Sequence, residues 1–252
     1  MSADDTTQTA KLPRIEKTDN TAPADGGYEA WLTARKALLE EEKKFSKARA
    51  RLAEMRRKLP AYVVPKDYTF EAAGTGELVP FADIFGTNDT LIVQHVMLDD
   101  SWENACTFCS FFADGFNASL KHLLPRASMC IITAAGPKKL QEVREKKNWP
   151  MPAFSSRNNS FNYDFKVSFT AEQLADGGGD YNFGRKWKYG NHAFGLSVFQ
   201  KRDGKIYHTY STFGPGLAEF QTVFSLLDIT PQGRNEKEGG GNMFWVKHME
   251  EY

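Results

Sequence analysis

A long apolar run followed directly by a cysteine-containing helix constrains the fold of this chain more than any other feature. The run "LIVQHVML" (91–98) is typical of a strand that is buried on both faces of a parallel sheet. After the helix, "MCIITAA" (129–135) repeats the strand pattern, and Pro137 then begins another helix. Later, "FGLSVFQKRDGKIYHTYSTF" has the pattern of a hairpin with an Asp-Gly turn. This order predicts an α/β domain with parallel crossover units, an antiparallel hairpin and a terminal helix.

The segment "NACTFCSFFADGF" (104–116) places two of the three cysteines in the first turn of the predicted helix. Cys106 lies at the start of the helix, where free backbone N–H groups and the helix dipole stabilise a thiolate. Cys109 is in line with Phe112 and Phe116, on the stripe that should pack against the sheet. An exposed attacking thiol with a shielded resolving thiol behind it is the layout that disulfide exchange requires.

Dithiol redox chemistry is the favoured interpretation of this pair, and two alternatives remain open. Both cysteines could be buried residues that never react. They could also bind metal, but a tetrahedral zinc site needs four ligands and the chain has no second C-x-x-C. Cys106, Cys109 and a histidine could instead hold a thiophilic ion such as Cu(I), as in a copper carrier or a copper-dependent oxidase. Cys130 is expected to be a small core residue.

Composition and charge exclude several classes of partner. Lys+Arg and Asp+Glu both total 32, so the chain has no net charge to attract nucleic acid or an anionic membrane. No apolar run approaches the roughly 20 residues that span a bilayer. The acidic start "MSADDTTQTA" has none of the features of a secretory signal. These observations predict a cytoplasmic protein with no membrane or nucleic-acid partner.

The N-terminal part divides into two predicted segments. Residues 1–25 are predicted to be a disordered tail, and residues 26–60 a long amphipathic helix that Pro60 stops. Large apolar residues recur in the helix every seven positions: Trp31, Leu38, Phe45, Leu52 and Leu59. The favoured interpretation packs this stripe on the helix's own domain, residues 61–252. The alternative is a homodimer through the helix, and in a non-catalytic interaction module the helix would be the working part. The Gly-rich "LADGGGDYNFG" is expected to be a flexible insertion.

Several motifs occur in the order found in the DUF899 family. They include "CTFCSFFADGF", "SSRNNSFNYDFKVSFT", "HTYSTFGPGL", "LLDITPQGR" and "WVKHMEEY", and the resemblance covers residues 28–252. It implies a thioredoxin-like α/β fold, with a central mixed sheet flanked by helices. It also implies a dithiol-disulfide oxidoreductase with Cys106 and Cys109 at its active-site position, and this chemistry requires no cofactor.

One position departs from that family pattern. A Pro usually precedes the "GLSVF" strand, where thioredoxin folds place a cis-Pro facing the cysteines, and here Phe194 occupies the position. This departure disfavours a general protein-disulfide reductase. His192 lies in the same loop and is expected to face Cys106, which makes Cys106, Cys109 and His192 the predicted ligands in the copper alternative.

A polar and aromatic loop, "RNNSFNYDF", follows the third predicted strand, at the side where α/β sheets bind ligands. The resemblance also marks Trp102 and the loop residues as motif positions. We expect them to bind a small thiol, disulfide or peroxide beside the cysteines, and an ordered structural loop is the alternative. The predicted substrate-binding residues are Trp102, Phe161, Asn162, Tyr163 and Asp164.

Overall fold

The computed structural model describes residues 26–236 and 243–252, so the tail predicted for residues 1–25 lies outside the described residues. The helices in chain order are α1 (Gly27–Arg57), α2 (Phe81–Ile84), α3 (Thr107–Leu123), α4 (Pro137–Lys146), α5 (Phe161–Asp164), α6 (Ala171–Ala175) and α7 (Thr222–Asp228), with short 3-10 helices at Gly214–Phe220 and Met249–Glu251. The strands are β1 (Tyr62–Val63), β2 (Thr69–Ala72), β3 (Leu78–Pro80), β4 (Thr90–His95), β5 (Ser128–Thr133), β6 (Ala153–Ser155), β7 (Gly179–Tyr181), β8 (Arg185–Trp187), β9 (Gly195–Arg202) and β10 (Lys205–Phe213).

One mixed sheet carries the fold, with the strand order β1-β10-β9-β4-β5-β6-β2-β3. Strands β4, β5 and β6 are parallel and are joined through α3 and α4, as the buried apolar runs predict. The antiparallel hairpin β9–β10 lies beside β4. A β-α-β unit and a β-β-α unit with the central order β10-β9-β4-β5 form a thioredoxin-like arrangement, so the predicted fold class is confirmed.

The two faces of the sheet carry separate apolar clusters. Side chains alternate along a strand, so Leu91 and Val93 of β4 face one side and Ile92 and Val96 face the other. The first side packs against an aromatic cluster that includes Phe161. The second side packs against α3, and Cys109 belongs to that cluster. The cysteine pair and the aromatic cluster therefore lie on opposite faces of the sheet.

The Gly-rich segment predicted to be a flexible insertion is an ordered hairpin, β7–β8. Its turn runs through Asn182, Phe183 and Gly184, all of which have positive φ. The ring of Phe169 packs directly over Gly179, where an added Cβ would overlap Cδ1 of that ring. Only glycine allows this approach, and the expectation of a loose insertion is wrong because aromatic residues anchor the hairpin.

The long helix α1 is present as predicted, but it does not pack along its own domain. None of its residues is buried, and Trp31 and Phe45 are 58% and 69% exposed. Only its C-terminal part reaches the domain, where Arg56 forms an ion pair with Glu219 at 2.7 Å. The favoured interpretation of the apolar stripe is therefore wrong. Among the described residues, no helix combines the length and the apolar character needed to cross a membrane.

Candidate functional site

Cys106 is the N-cap residue of α3 and lies immediately after a loop from β4. Its backbone is non-helical, with φ −49° and ψ 131°, and its N–H donates to the carbonyl of Met97 at 3.0 Å. Its own carbonyl accepts the first bond of the helix from the N–H of Ser110 at 2.9 Å. The side chain remains partly exposed. The strand end and the helix start together fix the position of this thiol.

Cys109 lies one turn further on and is buried, as predicted for a resolving thiol. Its sulfur accepts the N–H of Met97 at 3.4 Å, and its carbonyl accepts Nε2 of Gln94 at 2.9 Å. Gln94 is itself buried in β4, so the cysteine turn is attached to the sheet by polar contacts as well as by packing. All three cysteines are free thiols.

The two neighbouring thiols differ in acidity. The hydrogen bond from the thiol of Cys109 lowers the pKa of Cys106, and the backbone N–H groups of Phe108 and Cys109 contribute in the same direction against burial. Burial raises the pKa of Cys109 well above its ordinary value, and its hydrogen bond to Cys106 adds to that shift. Burial also raises the pKa of Cys130. Cys106 is therefore the thiol favoured as a thiolate, because its charged form has donors around it.

Cys106 opens into a cavity of about 530 Å³. Apart from Cys106, His192 and Asn191, its walls are almost entirely aromatic and aliphatic. Residues that contribute to these walls include Met97, Trp102, Phe108, Phe112, Trp187, Phe194, Pro215 and Phe224. The cavity is large enough for a small organic molecule and presents it with few polar partners.

His192 lines the same cavity, as predicted, but it does not complete a metal-binding set with the cysteines. Its Nδ1 lies 3.1 Å from Oγ of Ser168, and its Nε2 lies 3.5 Å from Oδ2 of Asp99. Burial lowers the pKa of His192, although Asp99 acts in the opposite direction. Among the described residues, no group of three or more His, Cys, Asp or Glu side chains could hold a metal ion. The geometry therefore does not assemble the copper ligands Cys106, Cys109 and His192.

The structure places one of the predicted substrate-binding residues at the site and four elsewhere. Trp102 lines the cavity beside Cys106, and its ring centroid lies 6.1 Å from that of His192. Phe161 is fully buried in the aromatic cluster on the opposite sheet face, and Asn162 is buried close to it. The prediction that the loop lies beside the cysteines is wrong, because its phenylalanines anchor it to that other face.

The remaining two loop residues also lie away from the cavity. Tyr163 is 47% exposed, and Asp164 accepts hydrogen bonds from Lys66, Tyr68 and Ser160 at 2.6–2.7 Å. Burial opposes ionisation of Asp164, but these donors outweigh it and lower the pKa of the carboxyl group. Asp164 is a structural acceptor, which is the alternative that the sequence left open for the loop.

Phe194 is at the position where the family resemblance implies a proline, and it lines the cavity. No peptide bond in the described ranges is cis. The hydroxyl of Tyr181 donates to the carbonyl of Phe194 at 2.6 Å and accepts the N–H of Gly214 at 3.0 Å. The hairpin β7–β8 thus braces the segment that faces Cys106.

Two cavity residues from this hairpin and its end were not among the predicted site residues. Trp187 and Tyr189 line the cavity and contact each other with ring centroids 5.2 Å apart. The signal was present in "DYNFGRKWKY", where aromatic residues recur on both sides of a glycine-containing turn. The three glycines before this stretch favoured the interpretation as a flexible segment instead.

A family model described as "Bacterial protein of unknown function (DUF899)" matches residues 21–252. The chain belongs to this family. No curated protein matches its sequence. The match includes the cysteine turn, the β7–β8 hairpin and the whole sheet.

Several solved structures are similar to this chain at low sequence identity. Peroxiredoxin Q from Xanthomonas campestris is 11% identical, with a TM-score of 0.47, and the match covers 69% of this chain and 98% of that one. Peroxidoxin BcpB from Mycobacterium tuberculosis is 15% identical, with a TM-score of 0.42 and coverages of 59% and 82%. BsSco, a member of the Sco family of cytochrome c oxidase assembly proteins, is 16% identical, with a TM-score of 0.39 and coverages of 69% and 98%.

Proposed function

We propose that the protein is a dithiol-disulfide oxidoreductase that reduces a small apolar disulfide or hydroperoxide in the cavity beside Cys106. One observation carries the proposal: a partly exposed thiol with a lowered pKa opens into this cavity, and a buried thiol with a raised pKa is hydrogen-bonded behind it. The two thiols have the different environments that an attacking and a resolving cysteine need.

With a disulfide substrate RSSR, the Cys106 thiolate attacks one sulfur, the R–S–S–R bond breaks, and RS⁻ leaves. RS⁻ takes up the proton that Cys106 had released. The Cys109 sulfur then attacks Cys106, and its proton passes to the second departing RS group. The products are two RSH molecules and a Cys106–Cys109 disulfide, so the substrate gains the two electrons that the dithiol loses. A small dithiol returns the protein to its reduced form.

With a hydroperoxide ROOH, the same thiolate attacks the terminal oxygen and the O–O bond breaks. The alkoxide RO⁻ leaves and is protonated to ROH, while Cys106 becomes a sulfenic acid. The Cys109 thiol condenses with it, which releases water and forms the same disulfide. In both routes the Cys109 thiol, three residues along α3 from Cys106, is the resolving group.

The walls of the cavity favour apolar substrates over charged ones. A phenyl or alkyl group would contact Trp102, Phe108 and Phe194 and would leave water. The carboxylates and ammonium groups of glutathione would lose hydration there without finding ion partners. The apolar character of the walls, rather than the motif alone, therefore narrows the substrate class.

The proposal is tested by turnover of the full chain with a dithiol reductant. We expect diphenyl disulfide and cumene hydroperoxide to exceed glutathione disulfide and hydrogen peroxide in kcat/KM by roughly 10-fold or more. Cys106→Ser should fall to the background rate, and Cys109→Ser should accumulate a Cys106 adduct that is visible by intact mass. Cys130→Ala is the matched control and should keep its turnover. Full activity of Cys106→Ser would refute the proposal.

A further inference from the structure

Helix α1 carries a continuous apolar stripe that its own domain does not cover. Six large side chains along this face are between 42% and 69% exposed, the last of them two residues beyond the end of the helix: Trp31, Leu38, Phe45, Leu52, Met55 and Leu59. Five of them repeat every seven residues, and Met55 lies on the adjacent position of the same face. On an isolated helix in water, such a stripe would leave a contiguous apolar surface exposed, and such surfaces mark interaction sites. The stripe therefore needs a second surface.

A groove of about 920 Å³ lies at the C-terminal end of the same helix, and its lining combines apolar side chains with polar ones that include Arg57, Arg202, Gln200 and Glu219. One wall is formed by Arg49 and Arg56 of α1 and by Leu59, which follows the helix. The sheet and α3 form the other, with Ile92, Leu196, Val198, Met129, Phe116 and Leu123. The groove is thus continuous with the stripe, and a helix lying in it would contact both.

We propose that the occupant is α1 of a second copy of this chain, running antiparallel to the first. In this arrangement, the N-terminal half of each helix packs across the C-terminal half of the other and reaches the other copy's groove. Trp31 of one copy then lies near Met55 and Leu59 of its partner. The surface is symmetric, so each copy provides both the helix and the groove.

The apolar area of the stripe matches what a stable dimer needs. The twelve half-exposed large side chains of two copies would bury roughly 100 Å² each, about 1,200 Å² in all before the grooves are counted. This value is at the lower end of the range for specific protein–protein interfaces, and the grooves add to it. Ala34 and Ala48 on the same face leave space for the large residues of the partner helix.

The charges on the stripe favour the antiparallel direction. Glu41 interrupts the apolar face near its middle. Two parallel helices would place Glu41 against Glu41 of the other copy. Two antiparallel helices in this register would instead bring it opposite residues 45–49, which include Lys47 and Arg49. Opposite charges at this point support the register, and like charges would oppose it.

The first test measures the mass of the full chain by sedimentation equilibrium. We expect about twice the 28.4 kDa of one chain. Leu38→Glu should raise the dimer dissociation constant by about 100-fold or more, because it places an unpaired charge in the interface. Leu39→Glu is the matched control: it is 40% exposed and one position off the stripe, and it should stay within about 3-fold of the wild type. A monomeric wild type, or a dimer that tolerates Leu38→Glu, would overturn the proposal.

The second test decides the direction of the helices. Glu41→Arg should weaken the dimer by about 10-fold, because it would face Lys47 and Arg49 of the other copy. Glu40→Arg is the control, since Glu40 and Glu41 each form an equivalent ion pair with a lysine three residues on, at 2.7 Å. The Glu40→Arg variant should dimerise as tightly as the wild type. A Glu41→Arg dimer as tight as the wild type would contradict the antiparallel arrangement.

Discussion

Cys106 and Cys109 lie three residues apart, and their different surroundings give the two thiols different acidities. The Cys106 sulfur lies at a helix start among N–H donors, whereas the Cys109 sulfur lies in the apolar cluster under the helix. The hydrogen bond between them lowers the pKa of Cys106 and raises the pKa of Cys109, because the Cys109 proton stabilises the Cys106 thiolate. The spacing of the motif thus gives two thiols of different acidity and burial, which is what the proposed attacking and resolving roles require.

Alkylation kinetics test this difference directly. At neutral pH, iodoacetamide should modify Cys106 at least about 100-fold faster than Cys109 or Cys130. The rate for Cys106 should level off below the pKa of about 8.5 of an ordinary thiol, because its thiolate is already formed there. Modified peptides can be quantified by mass spectrometry over a pH series. Equal labelling of Cys106 and Cys109 would contradict the assignment.

A pair of aromatic substitutions separates the cavity from the loop on the opposite face. Trp102→Ala should raise KM for diphenyl disulfide by roughly 10-fold, because it removes apolar contact beside Cys106. Tyr163→Ala removes an exposed ring outside the cavity and should leave KM and kcat unchanged. Steady-state measurement of KM and kcat for both variants shows which of the two residues contacts the substrate. A large effect of Tyr163→Ala alone would show that the substrate binds elsewhere.

The main strands and helices could be predicted from the sequence. The face of the sheet that each loop covers could not. Continuous apolar runs are sufficient to identify β4 and β5 as buried strands, and the position of C-x-x-C after β4 identifies the start of α3. The loop that contains Phe161 has the composition of a binding site, but composition does not reveal which sheet face it covers. The β7–β8 hairpin was hidden for a similar reason, because its glycines serve tight packing on Phe169 rather than flexibility.

The role of α5 in packing gives a prediction about stability. Phe161 is fully buried and contacts several aromatic rings, including those of Phe70, Phe81 and Phe165, at centroid distances of 4.5–5.3 Å. Phe161→Ala should lower the free energy of unfolding by about 3–5 kcal/mol through loss of burial and a new cavity. Urea denaturation measures the change, with Tyr163→Ala as the exposed control at under about 1 kcal/mol. A small effect of Phe161→Ala would show that the cluster is not a core.

At the scale of the whole molecule, a chain of hydrogen bonds crosses the middle of the sheet. Nε2 of His95 lies 2.8 Å from Oγ of Ser197, which lies 2.8 Å from Oγ of Ser211, and His208 lies 2.7 Å from that hydroxyl. Burial lowers the pKa of His95 to about 3, and the neighbouring His208 acts in the same direction. The folded protein therefore holds this imidazole neutral.

This neutral histidine makes the fold sensitive to acid. Between pH 6.5 and about 3, the unfolded chain binds a proton at His95 that the folded chain does not, so stability is present above this window and is lost as pH falls through it. We expect loss of the His95 contribution to lower the free energy of unfolding by about 2.5 kcal/mol between pH 7 and pH 4.5. In the same urea titrations, the drop for His95→Gln should be smaller by about that amount. Stability that is constant or rising toward pH 4.5 would contradict the assignment.

Disulfide mapping is the sharpest test that Cys106 and Cys109 act together as a dithiol on the substrate. The reduced full chain is treated with a stoichiometric amount of cumene hydroperoxide, the remaining thiols are alkylated, and the peptides are identified by mass. We expect a single intramolecular disulfide between Cys106 and Cys109, a free Cys130, and complete reversal by dithiothreitol. Oxidation that leaves Cys109 free, or that joins other cysteines, would contradict it.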